Sequence, residues 1–130
     1  MSEEKLYILV VDDDAISNFV TVRHLKQFQA LGHIQDFTNP LEALSFLQTE
    51  SESAKKLPDF ILLDINMPQL DGWTFLDKMH ELKISSPQVF MLTSSIYPED
   101  SERSKNYKLV SGFIVKPLDR NKIQTHLDIV

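Results

Sequence analysis

The 130-residue sequence predicts an α/β protein, a doubly wound parallel sheet of five strands with helices on both faces. Two observations carry that expectation. Short apolar runs and helical segments alternate five times without an internal repeat, which is the order that builds a parallel sheet. The acids, hydroxyl and lysine that interrupt this pattern stand at the ends of the runs, where ligands bind in such sheets. At this length, 42% hydrophobic residues supply a core for one domain.

Residues 6–11 (LYILVV) form a nearly continuous apolar run, as in a strand buried on both faces. Asp12, Asp13 and Asp14 end it. Ile16, Phe19, Val20, Leu25 and Phe28 lay an apolar stripe along a helix that ends near Gly32. Residues 33–37 make a weaker second strand. Asn39 and Pro40 open a second helix with Leu41, Leu44 and Leu47, the proline being tolerated in a first turn. Residues 49–58 (TESESAKKLP) have linker composition and predict a mobile loop.

Residues 60–63 form a third buried strand, and Asp71 caps a helix carrying Phe75, Leu76, Met79 and Leu82. Residues 89–92 are the fourth strand, followed by Thr93, Ser94 and Ser95. Pro98, Glu99 and Asp100 open a fourth helix, with acids at the positive end of its dipole. That helix is poor in apolar residues, with Tyr107, Leu109 and Val110 only near its end. Residues 113–115 are the fifth strand, and Asp119 caps a last helix with Ile123, Leu127 and Val130.

The totals remove several function classes. A formal net charge of −6 argues against nucleic-acid and anionic-membrane surfaces, which need clustered Lys and Arg. The absence of cysteine rules out disulfides and thiolate chemistry. No apolar run reaches the ~18–20 residues of a membrane span, and the acidic N-terminus (MSEEKLY) lacks a signal-peptide profile. A cytoplasmic protein is expected. Gly32, Gly72 and Gly112 lie too far apart for a nucleotide-cradling loop, and His24, His33, His80 and His126 form no zinc motif.

At the carboxyl ends of the strands, the sheet gathers Asp12 and Asp13, Asp64, Thr93 and Lys116 on one edge. Three carboxylates brought together repel, so they need a cation or must hold a proton. Oxygen-only ligands favour a hard ion, Mg²⁺ above all. A lysine and a hydroxyl opposite the metal complete a clamp on a phosphoryl group, and a carboxylate such as Asp64 can itself accept that group. Taken singly, Asp12 to Asp14 read equally well as a helix cap, Asp64 as a turn cap, and Lys116 and Thr93 as ordinary strand-end residues. Agreement at four separate strand ends favours the chemical reading.

The stretches VVDD (10–13), LLDINMPQLDG (62–72), MLTS (91–94) and GFIVKPL (112–118) together resemble the receiver domain of two-component response regulators, of the single-domain chemotaxis-regulator type. The resemblance covers essentially all of residues 1–130, read as one receiver domain without an output domain. It implies a flavodoxin-like fold with strand order 2-1-3-4-5 and Asp64 as phosphorylation site. It further implies that Asp13, Asp64 and the Asn66 backbone carbonyl bind Mg²⁺, with Asp12 acting through water. Lys116 would contact the phosphoryl group and precede a cis bond to Pro117. Thr93 and Phe113 would be the switch pair, although Phe113 lacks the hydroxyl of the tyrosine frequent there, and Ser94 replaces a frequent alanine. The implied partners are a sensor histidine kinase or phosphotransfer protein, and a downstream protein or second copy docking on the helix 4–strand 5–helix 5 face. Catalysis would be limited to the domain's own phosphorylation and dephosphorylation.

Two alternatives compete. A haloacid-dehalogenase-type phosphatase would use Asp12 as nucleophile in a D-x-D pattern, but after Lys116 only Asp119 and Asp128 remain to supply its further acidic pair. A pseudo-receiver that only docks partners would lack an acid or the lysine, and none is lacking.

Overall fold

The computed structural model describes residues 5–130; the first four residues, part of the segment read for a targeting signal, lie outside that range. Five strands alternate with five helices: β1 (Leu6–Val11), α1 (Ala15–Leu25), β2 (Leu31–Phe37), α2 (Pro40–Glu52), β3 (Phe60–Asp64), α3 (Gly72–Glu81), β4 (Gln88–Thr93), α4 (Pro98–Ser104), β5 (Val110–Val115) and α5 (Arg120–Leu127). All strand pairs are parallel and the order is β2-β1-β3-β4-β5, so the predicted topology is the observed one.

The sheet separates two cores by strand parity, because successive side chains point to opposite faces. Leu9, Val11, Ile61, Leu63, Val89 and Met91 pack with Ala43 and Leu47 of α2 and with Phe75, Leu76 and Met79 of α3. On the other face Ile8, Val10, Leu62, Phe90, Leu92 and Ile114 meet Leu25, Phe28, Ile123 and Leu127. Every residue of β3 is buried, which explains its unbroken apolar run.

Several boundaries and faces differ from the sequence reading. Helix α1 ends at Leu25, and Phe28 is buried in the turn beyond it. Its inward face is Asn18, Thr21 and Leu25, while Ile16 and Phe19 are 77% and 66% exposed. The polar residues take the inner face because Asn18 is required there: its amide donates to the carbonyls of Asp12 (3.3 Å) and Phe37 (3.1 Å), tying β1 to β2. Strand β2 starts at Leu31, two residues early, since it pairs with Leu6. Helix α2 continues to Glu52, so the loop is shorter than residues 49–58, and Ala43 rather than the exposed Leu41 is buried. Strand β5 starts at Val110, which pairs with Val89, and α4 stops at Ser104 before Tyr107. Helix α5 closes at Leu127 with Asp128 in a left-handed conformation; Ile129 is buried and Val130 exposed. Among the described residues no helix is long and apolar enough to cross a membrane.

These faces separate two substitutions of similar chemistry. Leu25→Ala should cost about 2–5 kcal/mol of stability by leaving a core cavity. Phe19→Ala should stay within roughly 0.5 kcal/mol, being exposed. Urea unfolding decides it; comparable losses at both positions would contradict the assignment of α1's faces.

Candidate functional site

Local structure divides three adjacent aspartates into distinct tasks. Asp14 is the N-cap of α1, its Oδ1 accepting the amides of Ile16 (3.0 Å) and Ser17 (3.2 Å). With the cap supplied there, Asp12 and Asp13 are left to the pocket. Asp12 is fully buried, its Oδ1 accepting the Asp14 amide (3.1 Å) and its Oδ2 the Ser17 hydroxyl (2.6 Å). Asp64 ends β3 and is also buried, with the Asn66 amide donating to its Oδ1 (3.1 Å).

The acceptor loop is pressed close by α3. Gly72 donates its amide to the Ile65 carbonyl (2.8 Å), and a Cβ at Gly72 would lie 2.8 Å from the Asp64 carbonyl oxygen. Only glycine lets the helix start there. Asp71, immediately before, caps α3 through the Thr74 amide (2.8 Å), the role read for it from the sequence.

Lys116, one residue past β5, reaches back across the sheet edge. Its backbone amide donates to the Thr93 carbonyl (2.8 Å), and its Nζ stands 2.9 Å from Asp12 Oδ2 and 3.0 Å from Asp64 Oδ2. The peptide between Lys116 and Pro117 is cis. Carboxylate oxygens of Asp12, Asp13 and Asp64 all lie within 4.8 Å of one another. Thr93 is buried at the end of β4, and its hydroxyl is engaged with its own loop, donating to the Ser95 carbonyl (2.7 Å) and accepting the Ser95 amide (3.2 Å). Phe113, half-buried on β5, faces the ring of Trp73 edge-on at 6.4 Å. Trp73, buried beside Gly72, also stacks near Tyr107 (5.2 Å) and carries the Arg103 guanidinium above its ring (5.1 Å). The structure therefore brings Asp12, Asp13, Asp64 and Lys116 into contact range, with Asn66 bonded to Asp64 and Thr93 to the Lys116 backbone, while Phe113 lies against Trp73.

One lysine between two buried acids leaves an uneven charge balance. Burial pushes the Asp64 carboxyl up; Lys116 opposes this, Asp12 adds to it, and the outcome is about 6. Burial acts on Asp12 in the same sense, but the Ser17 hydroxyl, Lys116 and the Asp14 amide outweigh it and hold that carboxyl below its ordinary value. Burial would lower the Lys116 ammonium, yet Asp12 and Asp64 together raise it. A cluster of hard oxygen donors with surplus negative charge suits a divalent cation such as Mg²⁺.

Two site residues were missed in the sequence. Ser17 and Asn18 hold Asp12 from the first turn of α1, and the only signal for them was a polar pair inside what read as an apolar stripe.

A doubly wound sheet that gathers acids and one lysine at its carboxyl edge defines a class of proteins that handle phosphoryl groups or hard cations. The chain belongs to the response regulator receiver domain family, whose sequence profile matches residues 8–128. It is thus a phosphoacceptor signalling module of two-component systems. A protein-glutamate methylesterase/protein-glutamine glutaminase of Rhodopseudomonas palustris is 36% identical over 102 residues, 78% of this chain and 26% of that protein. The sensor histidine kinase CheAY of Helicobacter pylori is 30% identical over 121 residues, 92% of this chain but 14% of that protein. The chain thus spans about a quarter of the first relative's length and less of the second's. Among solved structures, a two-component response regulator from Cytophaga hutchinsonii superposes with a TM-score of 0.84 at 26% identity, covering 96% of each chain.

The charge balance predicts a pH dependence of the metal-free protein. Asp64 has its folded pKa raised from 3.8 to about 6, so the stability it contributes is present below its unfolded value and is lost as pH rises through about 6. Asp64→Asn should therefore stabilise the protein by roughly 1–3 kcal/mol at pH 7.5 in chelator, with the gain vanishing by about pH 4. Denaturant unfolding at both pH values measures it; an equal gain at both would show that repulsion in the pocket is not the cause.

Proposed function

We propose that the protein takes a phosphoryl group from a histidine of a sensor kinase or phosphotransfer protein onto Asp64, in a Mg²⁺-dependent transfer. The observation that carries this reading is the Lys116 ammonium held at 2.9 and 3.0 Å between the Asp12 and Asp64 carboxylates, beside Asp13. An Asp64 oxygen attacks the phosphorus, the phosphorus–nitrogen bond breaks, and its electron pair leaves with the imidazole. The product is an acyl phosphate on Asp64. Lys116 moves from carboxylate to phosphoryl oxygens without leaving the pocket, so its charge follows the charge that develops. Mg²⁺ held by Asp13, Asp64 and the Asn66 carbonyl, with Asp12 through water, would neutralise the phosphoryl oxygens. Water attack on the acyl phosphate releases inorganic phosphate and restores the Asp64 carboxylate, so the domain catalyses only its own modification.

The phosphatase reading with Asp12 as nucleophile has less support. Asp12 has no exposed surface and is held by three donors, the Asp14 amide, the Ser17 hydroxyl and Lys116, against two on Asp64, the Asn66 amide and Lys116. Asp64 is the less stabilised of the two buried acids, since burial and Asp12 together outweigh Lys116 there.

Output follows from competition for the Thr93 hydroxyl. A phosphoryl oxygen on Asp64 offers it a charged acceptor in place of the Ser95 carbonyl, and charge-assisted bonds are the stronger. As Thr93 turns, Phe113 can move into the vacated space, and α4, which has no buried residue, has little packing to resist displacement. The α4–β5–α5 face is then read by a downstream protein or a second copy, in the cytoplasm and without nucleic acid or membrane.

Acetyl phosphate with Mg²⁺ should add one phosphate, mapped by mass spectrometry to Asp64; chelator or Asp64→Asn should abolish it. A phosphate mapped to Asp12 would overturn the acceptor assignment.

Beryllofluoride, a phosphoryl mimic, should alter amide exchange most across residues 93–118, and Thr93→Ala should blunt the effect. Changes confined to the acidic pocket would refute this route to the output face.

A further inference from the structure

Lys122 sits in the first turn of α5, where its backbone amide is held by the cap residue Asp119 (2.8 Å). Its side chain does not run out into solvent. The ammonium donates to the carbonyl of Val115 (2.8 Å) and to that of Pro117 (2.9 Å), the two residues that flank Lys116. Lysine side chains at helix starts oppose the dipole, so this placement needs another reason. Hydrogen bonds from a charged donor are the stronger kind, and two on one ammonium hold a short segment at both ends.

We propose that Lys122 is the positioning residue for Lys116, resting on the reading of Lys116 as the phosphoryl contact. Strand β5 ends at Val115, opposite Thr93, so beyond that point no sheet ladder fixes the chain. The Lys116 amide makes one bond to the Thr93 carbonyl. Without a second hold, the backbone of residues 115–117 could rotate about that bond and carry the Lys116 side chain away from Asp12 and Asp64. Lys122 supplies the second hold from α5, an element packed on the sheet through Ile123 and Leu127. The geometry also makes the loop a tie between α5 and the pocket: a shift of the helix start transfers to the carbonyls on either side of Lys116. A small displacement of a catalytic group is costly, since an error of about 1 Å can lower a rate on the order of a hundredfold.

Lys122→Met keeps the aliphatic stem and removes the donor. In this variant the Lys116 amide should exchange with solvent at least about tenfold faster, while the amides of Val10 and Leu62 in the central strands keep their protection. Labelling of Asp64 by acetyl phosphate should slow by roughly tenfold. If the Lys116 amide is unchanged, or loses protection in step with Leu62, Lys122 does not hold this loop. If the amide loosens but labelling stays within about twofold of the parent, the hold does not serve the chemistry, and the proposal is equally overturned. Should Lys122→Met fail to unfold cooperatively, Lys122→Leu, which also lacks a donor, carries the same two measurements. Absence of Asp64 labelling in the parent protein would instead refute the acceptor assignment itself.

Discussion

The pocket is organised by one ammonium shared between two buried carboxylates. A single positive charge cannot compensate Asp12, Asp13 and Asp64 together, so the surrounding groups decide which acid is left wanting. Asp12 receives a hydroxyl and a backbone amide as well as Lys116, and stays ionised. Asp64 receives less and is the acid that a cation or a phosphoryl group would relieve. Removing Lys116 alone would strand the buried carboxylates without a counter-charge, at a cost of several kcal/mol.

The sheet makes this arrangement possible through register. Val11 lies beside Leu63, Leu63 beside Met91 and Met91 beside Phe113, so the strands end almost level. Asp12 and Asp64, each one residue further, therefore meet at the same height, and Lys116 needs only its own length to reach both. Strand parity sends Leu63 to one core and Leu62 to the other, so a slip of one residue would bury the wrong faces and separate the acids.

Much of this was legible in the sequence. The buried strands read as unbroken apolar runs, and the polar groups that end them point to Asp12, Asp13, Asp64, Thr93 and Lys116. Helix faces were harder. Asn18 points inward because β1 and β2 need a hydrogen-bond donor at their junction, a tertiary demand that periodicity does not encode, and Thr21 follows one turn later on the same face. Ile16 and Phe19 consequently face outward despite their hydrophobicity. The Lys122 contacts were likewise invisible, since a lysine in a first turn reads as a solvated surface residue until the neighbouring carbonyls are seen.

Helix α4 has a consequence of a different kind. None of its residues is buried, and Arg103 lies over the Trp73 ring. Substitutions at exposed positions away from such contacts change stability by little. Selection for a folded protein thus leaves most of Pro98–Ser104 free to drift, while the residues around Asp64 are constrained by both packing and charge. On the proposed reading of α4 as part of the docking face, duplicated copies of such a gene could change partners and keep the same pocket, because the two sets of residues do not overlap.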